Sequence, residues 1–129
     1  MSLVIEATVK TPKVVVDSDN GQILIAGISI PEDPHEFYNP LDNELDSYLA
    51  NPASATSLDF QLEYFNTSST MIIRNLIRKV ANFSSKTKLK VNWFYEEYDE
   101  DMKEAGDEFK LLFNELDFEI VPVEEFPPH

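Results

Sequence analysis

The chain has 129 residues, 43% hydrophobic and 26% charged, which fits one globular domain with a single core and neither two domains nor a disordered segment. It has no cysteine and only two histidines, His35 and His129, so disulfides, thiol catalysis, Cys-ligated metals and a His-rich metal site are not expected. A formal net charge of -14 disfavours nucleic acid and anionic membranes as partners, because both call for a surplus of Lys and Arg.

Residues 1–12 alternate apolar and polar (Leu3, Ile5, Ala7, Val9) and predict a strand that ends at Pro12. Lys13–Asp17 is a Val-rich strand. Asp19-Asn20-Gly21 predicts a tight hairpin turn, with Asn-Gly supplying positive φ angles. Gln22–Ile30 is the returning strand, closed by Pro31. From His35 to about Leu49 the apolar positions Phe37, Leu41, Leu45, Tyr48 and Leu49 fall at helical spacing, with Asn51-Pro52 as the stop. Pro40 within the first turns marks an alternative start. Thr56–Phe65 alternates cleanly, so Leu58, Phe60, Leu62 and Tyr64 share one face of a strand. Thr67–Phe83 predicts a long amphipathic helix, with Met71, Ile72, Ile73, Leu76, Ile77 and Val80 on the apolar face and Arg74, Arg78 and Lys79 opposite.

Leu89–Tyr95 is the next strand. Asp99–Phe113 is an acidic helix whose expected buried stripe is Met102, Ala105, Phe109, Leu112 and Phe113. Phe118–Val123 is a last strand, placed at an edge by Pro122, and the tail from Glu124 to His129 is expected to fray. The fold class is therefore α/β: an N-terminal antiparallel hairpin leads into helical crossovers between strands of a mixed, largely parallel sheet. No apolar run approaches the roughly 18 residues of a membrane span, and no basic-then-apolar stretch opens the chain, so the cytoplasm is the expected compartment.

Charge is unevenly spread. Asn66–Lys90 holds six basic residues and no acidic one, while the rest carries 24 acids against 4 bases. Inside this segment lies Asn66-Thr67-Ser68-Ser69-Thr70, where a strand ends and a helix begins. Strand ends of this kind build sites in open α/β sheets, and a helix start favours an anion. Three readings compete. One residue must cap the helix, which explains one hydroxyl but not four in a row. A bound nucleotide or flavin phosphate needs glycine for close backbone approach, and this loop has none. A covalent phosphate on a hydroxyl would add about two negative charges and switch a docking surface without unfolding the domain.

Tyr64-Phe65-Asn66-Thr67-Ser68-Ser69 after a strand, an amphipathic helix, then Val91-Asn92-Trp93-Phe94-Tyr95-Glu96 and an acidic helix together resemble the SiaC family of bacterial regulatory phosphoproteins. The resemblance is strongest from about Leu58 to Phe113. It implies a STAS-like architecture and the partner-switching logic of anti-sigma-factor antagonists. A protein kinase phosphorylates a hydroxyl at the helix start and a PP2C-type phosphatase restores it. The unphosphorylated form binds and activates a target such as a diguanylate cyclase, influencing c-di-GMP signalling and biofilm formation. Carried onto this chain, the phosphoacceptor is Thr67, with Ser68 and Ser69 as neighbouring alternatives. Asn66, Ser68 and Ser69 would shape the loop and contact partners, and Tyr95 is a candidate for the same interface. No cofactor, metal or catalytic activity is implied. The basic stripe Arg74/Arg78/Lys79 departs from the family pattern.

Two other readings stay open at this level: a STAS-type anti-sigma-factor antagonist, and a small-ligand or flavin carrier. The acidic run Glu96–Glu108 lacks the spacing of an EF-hand loop and reads as a solvated helix start. Paired carboxylates for glycoside hydrolysis have no second element to form a cleft with. Trp93-Phe94-Tyr95 could stack on bases but lacks a basic platform apart from Lys88 and Lys90. His35 has no Ser or Asp partner at triad spacing.

Overall fold

The computed structural model describes residues 2–127. The elements run β1 (Ser2–Ile5), β2 (Lys13–Asp17), β3 (Gln22–Ser29), α1 (Pro34–Ala50), β4 (Ala55–Phe65), α2 (Thr67–Ala81), β5 (Lys88–Glu96), α3 (Glu100–Leu112) and β6 (Asp117–Val123). The six strands lie side by side in chain order, antiparallel from β1 to β3 and parallel from β3 to β6. The mixed α/β sheet with an N-terminal hairpin is thus as expected. Sequential parallel strands joined by crossovers of one hand place every connecting helix on the same face. Burial agrees: one core cluster holds residues of α1, α2 and α3 together with a single parity of strand residues, such as Val14, Ile25, Phe60 and Trp93. The opposite parity of β5, from Lys90 to Glu96, is only half-buried. That open face carries a Lys90–Glu119 ion pair at 2.8 Å and a hydrogen bond from Asn92 Nδ2 to Asp59 Oδ1 at 2.8 Å.

Several boundaries differ from expectation. The first strand stops at Ile5, well before Pro12, because Thr8 N–H donates to Thr11 O at 2.9 Å and folds that stretch into a turn. The hairpin loop has four residues, 18–21, between the paired Asp17 and Gln22. Only Gly21 adopts positive φ there (66°), while Asn20 Nδ2 donates to Asp17 Oδ2. Helix α1 starts at Pro34 under an Asp33 cap, which accepts from Glu36 N–H, so Pro40 lies inside the helix. At the C-terminus, Phe126 N–H donates to Glu96 Oε2 at 3.0 Å. The last two residues lie outside the described residues.

The largest departure is in β4. Gly27 pairs with Leu62 but Ile28 pairs with Tyr64, so Glu63 is the extra residue of a bulge. Beyond it the alternation inverts. Phe65 turns inward against Trp93, with ring centroids 6.0 Å apart, and Tyr64 turns out to solvent, 57% exposed.

Two chains of buried hydroxyls tie α1 to the sheet. At one end Tyr48, Thr56 and Thr87 bond in series at 2.7 Å each. At the other, Tyr38 OH meets Ser29 Oγ at 2.6 Å and Ser29 Oγ meets Ser69 Oγ at 2.9 Å. Ser69 spends its proton on Ser29 O at 3.0 Å, so Ser29 must donate to Ser69, and Tyr38 must donate to Ser29. Burial pushes the Tyr38 phenol up to about 12. A raised folded-state pKa means the contribution is intact below pH 10, the unfolded value, and is lost as pH rises through 12. The unfolding free energy from urea titration should therefore fall between pH 10 and 12, by about 2–3 kcal/mol from this group. Tyr38→Phe should remove that share of the pH dependence.

Candidate functional site

Helix α2 begins where β4 ends, and its cap is satisfied by one residue. Asn66 is extended (φ -89°, ψ 175°), and its Oδ1 accepts from Ser69 N–H at 3.1 Å. Asn66 N–H in turn donates to Ser29 O at 3.1 Å, which pins the cap to the end of β3. Asn66 therefore caps the helix, and no hydroxyl is required for capping.

The four hydroxyls that follow separate sharply. Thr67 and Ser68 are exposed. Ser68 Oγ donates to Asn66 Oδ1 at 3.3 Å, whereas the Thr67 hydroxyl makes no hydrogen bond among the described residues. Thr70 is half-buried, its Oγ1 3.4 Å from Asn66 O. Ser69 is wholly buried within the Tyr38–Ser29 chain. The expectation that Ser69 contacts partners, or serves as an alternative phosphoacceptor, is corrected: no surface reaches its hydroxyl.

Tyr95 needs the same correction. It belongs to the core cluster and is 9% exposed, because its parity on β5 faces the helices. Two aromatics are exposed at this end of the sheet: Tyr64, put there by the bulge, and Tyr98, just past β5. Met71, expected inside, is 54% exposed one turn beyond Thr67. The basic stripe of α2 is also split. Lys79 turns to α1, bonding Asp42 at 2.7 Å and Asp46 at 2.6 Å. Arg78 lies 5.8 Å over the Phe113 ring on the α3 side, and Arg74 lines a cavity there with Thr70, Glu108 and Leu112. Leu112 is exposed where the helical pattern placed it inside.

Electrostatics set α2 apart from the other two described helices. The first turn of α1 holds Glu36 and that of α3 holds Glu100 and Asp101, but the first turn of α2 has no acid. Its positive dipole end is thus left without a side-chain counter-charge in a protein of net charge -14. No group of three or more His, Asp or Glu residues suited to a metal occurs among the described residues. No described helix is long and apolar enough to cross a membrane.

An exposed hydroxyl thus stands at a capped helix start, over a two-layer α/β sandwich. The chain belongs to the SiaC family of regulatory phosphoproteins, whose family model matches residues 5–123. It is 29% identical over 109 residues to an uncharacterized protein of Pseudomonas aeruginosa, covering 82% of this chain and 85% of that one. The fold is similar to apo-SiaC from Pseudomonas aeruginosa, with a TM-score of 0.79 and 22% identity over 95% of this chain and 98% of that one. It is also similar, at TM-score 0.75 and 26% identity over 93% and 97% of the two chains, to a structure of the diguanylate cyclase SiaD in complex with its activator SiaC from the same organism.

Proposed function

We infer that this chain is a non-enzymatic partner-switching regulator whose switch is Thr67. A protein kinase phosphorylates Thr67 and a PP2C-type phosphatase restores it. The unphosphorylated form binds and activates a diguanylate cyclase, and so acts on c-di-GMP signalling and biofilm formation. Family membership supports the class, and the solved complex of a relative with its cyclase supports the kind of target.

The observation that carries the choice of residue is the sorting of the hydroxyls. Asn66 already caps the helix, Ser69 is consumed in the interior, and Thr67 stands exposed with no described partner. A phosphate on Thr67 would meet the uncompensated end of α2, so the free protein tolerates it. The same dianion would have to shed its water at an interface, where no compensation is built in on this side.

The test is peptide mass spectrometry on the protein from its own cells, combined with activity of the co-purifying cyclase. One phosphate at Thr67, varying with growth condition and inversely with cyclase activation, is the expected result. Phosphate confined to Ser68 would move the switch by one residue. An unmodified chain in every condition would leave Thr67 an idle first residue of the helix and would overturn the reading.

A further inference from the structure

We propose that Asn20 is a site of covalent self-modification: its side-chain amide is lost through a cyclic imide closed with the Gly21 nitrogen, and the carboxylate that replaces it breaks the contact that shuts the β2–β3 turn. This turn sits at the opposite end of β3 from Ser29, which holds the Asn66 cap, so the chemistry is separate from the Thr67 switch.

Ring closure needs an asparagine followed by an available, unhindered peptide nitrogen. Of the nine asparagines, Asn39 and Asn51 precede proline, which has no N–H to give up. Asn43, Asn75 and Asn92 stand inside helices or a strand, where the following nitrogen is held in regular pairing. Asn82 is followed by Phe83, whose N–H donates to Val80 O at 3.0 Å. Asn66 and Asn114 are followed by the side chains of Thr67 and Glu115. Asn20 alone precedes a glycine, which has no Cβ to obstruct the ring. Asn20 is exposed, and the Gly21 N–H makes no hydrogen bond among the described residues. The reacting atoms belong to adjoining residues, so the packing of Gly21 against Ala55 and Tyr48 does not separate them. A base takes the Gly21 amide proton and the nitrogen attacks Asn20 Cγ. The Cγ–Nδ2 bond breaks, and Nδ2 takes up a proton and leaves as ammonia. Water then opens the imide at either carbonyl. One opening gives an aspartyl residue; the other gives an isoaspartyl residue, with an extra methylene in the main chain. Water is the only co-reactant.

The surroundings of Asn20 turn this change of one atom into a structural event. Asp17 grips Asn20 twice: its Oδ2 accepts from Nδ2 at 2.8 Å and its Oδ1 from the backbone N–H at 3.3 Å. The Asn20 side-chain bond is the first cause that holds the Asp17 carboxyl below its ordinary value. Loss of the amide removes that donor and sets a second carboxylate against Asp17 Oδ2, so attraction becomes repulsion. The isoaspartyl product adds a further strain. The loop has four residues between the paired Asp17 and Gln22. Gly21 holds a positive φ of 66°, and even a Cβ on it would collide with Ala55 O. Its own carbonyl accepts from Ser57 N–H at 2.8 Å. A longer main chain finds no slack there. It must give up the Asp17–Gln22 pair or the Gly21–Ser57 bond, the link from the hairpin to the start of β4.

The test ages the full chain in mildly alkaline buffer and follows it by peptide mass spectrometry, with chromatography to separate the isoaspartyl peptide. The peptide containing Asn20 should gain the mass difference between OH and NH2, with matching release of ammonia and a rate that rises with hydroxide. Asn43, Asn82 and Asn114, equally exposed, should stay intact over the same period. Asn20→Gln should not react, because its ring would be larger and closes far more slowly. Asn20→Asp isolates the effect of the new charge. By NMR, Asp17 should titrate about one pH unit higher in it than in the parent, as expected for a like charge in contact at a solvated site. Its ratio of folded to unfolded chain in urea should be lower by about tenfold, and circular dichroism would show that it is folded in buffer. An Asn20 that keeps its amide in the folded chain, or another asparagine that reacts first, would overturn the proposal. So would an Asn20→Asp chain with the parent's Asp17 titration and stability.

Discussion

Stoichiometric phosphorylation of Thr67 should weaken target binding by about two orders of magnitude or more. The hydroxyl sits one residue past the Asn66 cap, on the helical stripe that continues through Thr70 and Arg74. A partner resting on that stripe buries whatever Thr67 carries. An uncompensated charge at a closed interface costs about 3 kcal/mol or more, and 2.7 kcal/mol is roughly 100-fold in affinity. A phosphate carries nearly two such charges and three hydration-hungry oxygens. Calorimetry of wild type against the enzymatically phosphorylated form reads this directly. Thr67→Ala should bind within about threefold of the unmodified chain, because the hydroxyl gives up no described bond. Thr67→Glu should fall between, since it brings one charge on a longer, more mobile stem. Equal affinity for the modified and unmodified forms would end the mechanism even with Thr67 phosphorylated.

Much of the architecture was legible because period and punctuation agreed. The bounds of β2 coincide with the Val-rich run, and α2 begins at Thr67 as the Asn-Thr-Ser-Ser pattern indicates. The loop at the β4–α2 junction was legible for the same reason. What escaped was anything set by a distant backbone. The bulge at Glu63 arises from pairing with β3 across Gly27, and nothing within Thr56–Phe65 announces it. It exchanges the roles of Tyr64 and Phe65, and with them the aromatic that faces solvent. Met71 and Leu112 read as core by spacing alone. Both are exposed, Leu112 beside the cavity that Thr70 and Arg74 of α2 also line. The sorting of Thr67, Ser68 and Ser69 likewise depends on Ser29, forty residues before Ser69. Residue type marked a hydroxyl-rich helix start. Only the packing of β3 against α2 distinguishes the hydroxyl that is consumed from the ones that are offered.

The same dependence on packing makes Gly106 the position where a conservative change should do most harm. Ala in place of Gly inside a helix normally stabilises by about 1 kcal/mol. Here a Cβ at position 106 would collide with the Trp93 indole. That ring is wholly buried, its Nε1 donates to Met102 O at 3.0 Å, and Phe60 and Phe109 stand 5.3 Å away on centroids. It has no direction in which to retreat. Accommodation must lift α3 from the sheet, which loosens Phe109 and breaks the Trp93–Met102 bond. Overpacking of this kind costs about 1–3 kcal/mol, and the lost bond to a buried indole adds about 1 more. Less the propensity gain, Gly106→Ala should therefore destabilise by about 1–3 kcal/mol in urea titration, with the sign opposite to helix propensity. Ala105→Gly, one residue earlier and half-buried, should cost only about 1 kcal/mol. A Gly106→Ala midpoint equal to or above wild type would mean that α3 can slide over Trp93.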